Sequence, residues 1–359
     1  MAYSFVMTGG GTGGHVFPAL AVARVLRDRG HQLLFIGTRA GMEARLIPEA
    51  GYELEFVRTG ALKRAGLRRQ LQTAWQLPLG IASASRLLQR FEARAVFSTG
   101  GYVAGPVMIA SLLRRVPLVI MEPNAVPGFA NRRVAGRVYR ALIGFESTRK
   151  WFPAEKSEVT GLPVRPEFFD VQPKRTGPFT VLITGGSRGA HTLNRASREA
   201  WPLLRESGAP VRIVHQTGAP EHEELAREFA TAGVEGEVVP FIREMPEAFA
   251  QADLVVSRAG AGAVNEIAAA GMPSVFVPLP FAADDHQRRN AEAFVQAGAA
   301  RLVLDAEMNG RRLFREIEDL RRNTGALEQM RARVRQFARP GAAERAADVL
   351  EEAARRKAS

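Results

Sequence analysis

The chain has 359 residues, 46% of them hydrophobic, enough for about two domains of ordinary size, each with its own core. It contains no cysteine, which excludes disulfides, thiolate metal sites and cysteine nucleophiles. Its formal net charge is +12, and residues 1–160 carry 22 Lys and Arg against 10 Asp and Glu while residues 161–359 carry 27 against 27, so the first half is expected to meet an anionic surface or ligand.

The N-terminus enters the apolar run Phe5–Met7 with no basic leader, and the uncharged stretch Ile267–Ala283 is broken by Gly271, Pro273, Pro278 and Pro280. Neither a secretion signal nor a membrane span is expected. After Met7 comes T-G-G-G-T-G-G-H, Thr8 to His15. Its Gly9, Gly11 and Gly14 satisfy G-x-G-x-x-G, but the dinucleotide reading also needs an acid at the end of the second strand. That strand, Leu33–Ile36, runs into Gly37-Thr38-Arg39, and the next acid, Glu43, comes too late. The phosphate-loop reading fails as well, because His15-Val16 stands where Lys and Ser or Thr belong. What is left is a glycine turn whose amides face an anion or a sugar at a helix start. His15 is the general-base candidate, since the helix dipole favours its neutral form; the alternative is a histidine that caps its own turn.

Between Arg58 and Arg94 eight Lys and Arg face only Glu92. Leu67, Leu71 and Trp75 recur at helical spacing with Arg68 and Arg69 on other faces, the pattern of an interfacial helix on anionic lipid or of a core helix with a basic outer face. Nucleic acid is the rival partner, but no recognition motif accompanies the charge. Further on, Gly100 to Pro106 forms another glycine turn containing Tyr102, and Glu122 and Asn124 follow the strand Leu118–Met121.

Apolar strands continue through Ala95–Ser98, Val181–Ile183, Val211–Val214, Val238–Pro240, Leu254–Val256 and Ser274–Val277, alternating with helical patterns such as Val16–Arg29. That alternation is the mark of parallel sheets with crossover helices. The proline-rich segment Glu158–Pro178 reads as a hinge. Past it, T-G-G-S-R-G-A-H at Thr184–His191 repeats Thr8–His15 at a constant offset of 176, with five identities in eight. The expected fold is therefore α/β, two doubly wound Rossmann-like domains, 1–160 and 161–340, whose glycine turns face a common cleft.

In the second half, Asp253–Pro280 reads strand, loop, helix, turn, strand. The small residues from Ala259 to Ala263 let a diphosphate approach the helix start, which places Glu266 within reach of a ribose; an ordinary first-turn acid is the alternative. Asp285, His286, Gln287 and Asn290 form a polar cluster suited to sugar hydroxyls or to capping. No metal-binding motif is present, which leaves helix amides, Ser187 and Arg165 to hold a diphosphate.

Taken in order, G-G-G-T-G-G-H, G-G-Y-V-A-G-P, G-L-P-V-R, G-G-S-R-G-A, R-A-G-A-G-A-V-N-E-I-A-A-A-G-M-P and D-D-H-Q-R-R-N-A resemble the MurG family over residues 5 to about 300. These are the peptidoglycan N-acetylglucosaminyltransferases of the two-domain type B glycosyltransferase fold. The resemblance implies inverting transfer of N-acetylglucosamine from its UDP donor to the 4-hydroxyl of the muramyl sugar of undecaprenyl-diphospho-muramoyl-pentapeptide, with no cofactor and no essential metal. Thr12, Gly13, Gly14, Asn124, Arg165, Ser187, Ile242 and Gln287 would contact the donor, together with Ala261, Gly262, Ala263, Val264, Asn265 and Glu266. Ile242 would meet the uracil through its backbone and Glu266 the ribose. His15 and Glu122 would be the catalytic residues, His15 as the base, with Tyr102 and Glu122 on the acceptor side. The last helix, in residues 341–359, would pack back on the first domain, and the enzyme would sit peripherally on the cytoplasmic face of the cell membrane. Another UDP-sugar enzyme of the same fold, a glycolipid synthase or a UDP-N-acetylglucosamine 2-epimerase, is the alternative. The chain departs from the family pattern at Met121, Pro123, Arg188 and Ala263.

Overall fold

The computed structural model describes the chain outside residues 1, 12, 58–66, 102, 175, 283, 284 and 359; the side chains of 67–76 and 358 are likewise not described. Tyr102 and Thr12 thus lie outside the described residues, as do the side chains of Leu67, Arg68, Arg69, Leu71 and Trp75. The chain divides into two compact units, residues 1–164 with 341–359, and residues 165–340.

The first unit holds a parallel sheet of β1 (Ser4–Thr8), β2 (Gln32–Gly37), β3 (Leu54–Phe56), β4 (Ala95–Ser98), β5 (Leu118–Glu122), β6 (Arg140–Ile143) and β7 (Ser157–Val159), in the order β3-β2-β1-β4-β5-β6-β7. Its helices are α1 (Gly13–Asp28), α2 (Glu43–Glu49), α3 (Leu67–Arg90), α4 (Ala104–Leu113) and α5 (Phe129–Val134). The central strands read as nearly continuous apolar runs because both faces of the sheet are covered, and Phe5, Val6, Phe97, Val119 and Ile120 have no exposed surface. Strand order reverses between β1 and β4, so the loops after these two strands border the crevice where open α/β sheets bind ligands.

The second unit repeats the plan with β8 (Phe179–Thr184), β9 (Val211–Gln216), β10 (Glu235–Val239), β11 (Leu254–Ser257), β12 (Ser274–Phe276) and β13 (Arg301–Leu302), in the order β10-β9-β8-β11-β12-β13. All pairings are parallel, and the switch falls between β8 and β11. Helices α6 (His191–Ser207), α7 (Ala219–Thr231), α8 (Met245–Gln251), α9 (Ala261–Ala270), α10 (His286–Gln296), α11 (Gly310–Arg322) and α12 (Thr324–Val334) cover the sheet. The chain then returns as α13 (Ala342–Ala358) to the first unit. There Ala346, Val349, Leu350 and Ala353 are buried, and Arg29 and Arg345 pair with carboxylates across the helix boundary.

Two expectations change. β10 begins three residues before Val238, with its polar Glu-Gly-Glu start on an exposed edge. Glu158 and Val159 belong to the edge strand β7 and not to the linker. Among the described residues no helix is long and apolar enough to cross a membrane, and no group of three or more His, Asp or Glu is placed to hold a metal.

Candidate active site

In the first unit, the loop from Gly9 to Gly13 is pinned from two sides. Toward β4, the Thr99 hydroxyl donates to the His15 carbonyl at 2.8 Å, and His15 Nδ1 lies 2.8 Å from the Thr99 carbonyl oxygen. A carbonyl only accepts, so the geometry assigns the proton to Nδ1 and puts the lone pair of the neutral ring on Nε2. Gly9 and Gly101 make this close approach possible. A Cβ on Gly9 would collide with the Thr99 side chain, and one on Gly101 would fall 2.7 Å from the Gly10 carbonyl oxygen, with φ at Gly101 of +86°.

Toward β2, the loop is held by Glu43, the residue that sequence spacing placed too late to matter. Its side chain is fully buried, and its carboxylate accepts from the Gly11 amide at 2.9 Å, the Thr38 amide at 3.1 Å and the Thr38 hydroxyl at 2.7 Å. The turn Gly37–Met42 brings the first residue of α2 back beneath the loop, which no count along the chain reveals.

Glu122 ends β5, and its buried carboxylate is turned into its own loop. It accepts from the Asn124 amide (3.0 Å) and side chain (3.2 Å), the Gly128 amide (3.0 Å) and Asn131 Nδ2 (2.9 Å). Burial pushes its pKa up while these hydrogen bonds pull it back. All four donors lie within residues 124–131, so the Glu122 carboxylate shapes its own loop. Asn124 also lies in this first-unit loop, with its carbonyl accepting from Thr148. Asn131, which sequence reading overlooked, is buried beside them.

In the second unit, the loop after β8 leaves Ser187 and Arg188 exposed at its tip. Beneath it, buried Gln216 donates to the Thr184 hydroxyl (3.1 Å) and the Gly186 carbonyl (2.9 Å) and accepts from the Ile242 amide (2.8 Å). One amide side chain therefore fixes the glycine turn against the Phe241–Ile242 segment. The Ile242 N–H is thus engaged by Gln216. The echo between the two loops is incomplete. α1 starts at Gly13, five residues past Thr8, whereas α6 starts at His191, seven past Thr184. His191 is consequently exposed and pairs with Glu221, while its counterpart His15 turns inward to Thr99.

Helix α9 opens at Ala261 behind Gly260 in extended backbone, and the N–H groups of its first turn have no partners inside the helix. Glu266 lies further along the same helix. Burial pushes its carboxyl up to about 7, opposed by the nearby Arg165 guanidinium, which stacks over Phe168. Gln287, at the start of α10, accepts from the Leu279 amide at 2.9 Å and lies 3.9 Å from where a Gly260 Cβ would be, beside the entry to α9. Of the predicted stretch from Ala261 to Glu266, Val264 and Asn265 turn inward: Val264 is buried and the Asn265 amide donates to the Ala261 carbonyl at 2.8 Å. Gly262, Ala263 and Glu266 lie on the less covered face of the helix. Sequence reading also missed Arg258, whose guanidinium ties the end of β11 to Val277, Pro278 and Asp305.

The chain matches the glycosyltransferase family 28 N-terminal domain over residues 5–143 and the family 28 C-terminal domain over residues 180–347. A Solibacter usitatus protein named UDP-N-acetylglucosamine–N-acetylmuramyl-(pentapeptide) pyrophosphoryl-undecaprenol N-acetylglucosamine transferase is 56% identical over 355 residues, covering 99% of this chain and 97% of that one. A Nitrosococcus oceani protein of the same name is 42% identical over 354 residues, covering 97% and 98%. The crystal structure of Acinetobacter baumannii MurG superposes with a TM-score of 0.83 at 34% identity, over 98% of this chain and 100% of that one. With both domain models matched in order across two like-built units, the chain belongs to glycosyltransferase family 28.

Proposed function

We propose that the protein transfers N-acetylglucosamine from UDP-N-acetylglucosamine to the 4-hydroxyl of the muramyl sugar of undecaprenyl-diphospho-N-acetylmuramoyl-pentapeptide, with inversion at the anomeric carbon. The 56% identity over 99% of the chain to a relative bearing that activity in its name is the observation that carries the reading. The site chemistry supports it. In the second unit, the amides of the first turn of α9 and Arg165 supply donors for a diphosphate, and Glu266 in its ionised form accepts from vicinal ribose hydroxyls. Gly260 and Gln287 flank that helix start. In the first unit, His15 takes the proton from the attacking hydroxyl through Nε2 as the new bond forms at the anomeric carbon and the bond to UDP breaks. The Thr99 carbonyl holds the Nδ1 proton and so fixes the tautomer that can act as a base. The acceptor's lipid places the work on a membrane face, cytoplasmic in our reading. Leu79 on the described part of α3 and Leu113 at the end of α4, both exposed, with Arg114 and Arg115 following, support a peripheral attachment surface.

A transfer assay with radiolabelled UDP-N-acetylglucosamine and a synthetic muramyl-pentapeptide lipid, with the product linkage read by NMR, tests the proposal. A β-1,4-linked disaccharide lipid is the expected product. Formation of UDP-N-acetylmannosamine, or of free N-acetylmannosamine with UDP by hydrolysis, or no transfer by protein that binds UDP, would overturn it.

A further inference from the structure

We propose that Glu43 is a positioning residue for the transfer reaction: an internal carboxylate that takes the place of an anionic ligand in the first-unit glycine loop and thereby commits that loop to holding His15. The proposal rests on the reaction proposed above.

A glycine turn between a first strand and a first helix is ordinarily a concavity of amides that receives phosphate. Here the Gly11 amide points at Glu43 Oε2, while Oε1 takes two further hydrogen bonds from Thr38. The pocket is shaped around this one carboxylate. A Cβ on Gly37 would lie 2.7 Å from Glu43 Cγ, and Cβ atoms on Gly10 and Gly41 would fall closer still to its carboxylate carbon and oxygens. Three glycines therefore serve the packing of a protein side chain, not the approach of a ligand. A diphosphate brought to this loop would meet a spent donor and a like charge across a few ångströms, which disfavours it strongly at low dielectric. Glu43 also stands near the end of β2, the region from which a dinucleotide-binding fold would present an acid to a ribose, but its carboxylate is turned inward and fully buried.

The consequence for the reaction is geometric. His15 sits in the first turn of α1, two residues after the pinned loop ends, and its ring is anchored on one side by Thr99. Glu43 supplies the second anchor, four residues upstream at Gly11. With both in place, the loop cannot pivot about the Thr99 contact, and Nε2 keeps a fixed direction.

The test uses the full-length protein and the near-isosteric Glu43→Gln. Its amide nitrogen must face either the Gly11 N–H or the Thr38 donors, so at least one hydrogen bond is lost without a change of volume. Turnover with the muramyl lipid, KM for each substrate, UDP affinity by calorimetry and amide exchange of peptides covering 8–16 and 184–192 are measured together. The expected result is a fall in kcat of about tenfold or more, with donor KM and UDP affinity within about twofold of the parent. Exchange should accelerate in 8–16 and stay unchanged in 184–192. A variant with parental kcat or with parental exchange in 8–16 overturns the proposal, as does a kcat loss matched by an equal loss of UDP-binding sites. Should Glu43→Gln fail to fold, Thr38→Val removes a single donor, and it is expected to lower kcat less but in the same pattern; parental kcat there overturns the proposal. If the parent itself binds UDP but makes no product, the transfer reaction has failed, and the exchange measurement still decides whether Glu43 holds the loop.

Discussion

His15 and Thr99 hold each other by two hydrogen bonds, the ring to one carbonyl and the hydroxyl to the other, each 2.8 Å long and spanning 84 residues of sequence. The pair joins the first turn of α1 to the end of β4, the two elements that border the switch point of the first sheet. Replacing His15 by Ala is expected to lower kcat by roughly 10²- to 10⁴-fold, with UDP affinity unchanged. Replacing Thr99 by Val removes only the hydroxyl bond, because the carbonyl that fixes the tautomer is backbone, and is expected to cost less. Steady-state kinetics beside calorimetric UDP titration check both, and parental turnover in His15→Ala would remove the residue from the mechanism.

On the proposed reaction, Glu266 is expected to couple donor binding to pH. Its carboxyl is raised from 4.5 to about 7 by burial, so in the folded protein without ligand it becomes charged only near neutrality. If the ionised form accepts from ribose hydroxyls as proposed, UDP affinity of the parent is expected to weaken as pH falls from 8 to 6. That of Glu266→Gln should be lower and flat. Stability runs the other way. A carboxyl whose folded pKa lies above its unfolded one contributes most below 4.5 and loses that contribution as pH rises through 7. Glu266→Gln should therefore melt higher than the parent at pH 8 and no differently at pH 4.5, as calorimetry at the two pH values would show.

His215 in β9 is buried, and desolvation lowers its pKa from 6.5 to about 3. Its Nε2 lies 3.1 Å from Asn194 Oδ1, an acceptor, so the neutral ring donates there. The folded chain resists protonation while the unfolded chain takes a proton below 6.5. The stability this group contributes is complete above 6.5 and is lost on acidification toward 3, at up to about 1.4 kcal/mol per pH unit. His215→Gln keeps a donor for Asn194 and removes that slope. Denaturant melts at pH 7 and pH 5 should show the parent losing more stability than the variant, and equal losses would contradict the assignment.

Arg345 in α13 clasps Glu158 of β7 through Nε (2.6 Å) and Nη2 (3.0 Å) and reaches Glu352 through Nη1. The hydrogen bonds to Glu158 raise the guanidinium pKa and hold the Glu158 carboxyl below its usual range. Both groups are about one third exposed, so solvent screens the pair, and Arg345→Ala is expected to cost about 1 kcal/mol. Leu350→Ala, in the fully buried face of the same helix, is expected to cost about 2–5 kcal/mol. Thermal melts of the two variants should rank in that order.

The buried central strands were legible because two-sided burial writes an apolar run into the sequence, as in Val181–Ile183 or Leu118–Met121. Three of the edge strands were not. Leu54–Phe56, Ser157–Val159 and Arg301–Leu302 are two or three residues long, carry charges or hydroxyls, and exist because a neighbour offers a ladder. Ala-Leu-Ile in β6 is apolar but lies among basic residues, and its run is too short to declare a period. At the site, residue types singled out His15 and Glu266, but the contact that orients the His15 ring is a backbone carbonyl 84 residues away. Glu43 looked superfluous because its contact with the loop depends on the return from Gly37 to Met42, and nothing in Met-Glu-Pro-Asn says that the Glu122 carboxylate faces its own loop.

The return of α13 to the first unit also sets a timetable. During synthesis the first seven strands leave the ribosome long before Val349 and Leu350 exist, so the groove those side chains fill must stay open while the whole second unit is made. The second unit, continuous in sequence, can finish while the first waits, although N-terminal domains ordinarily fold first. A nascent chain paused before Gly341 should thus carry a completed second unit and an uncapped first unit.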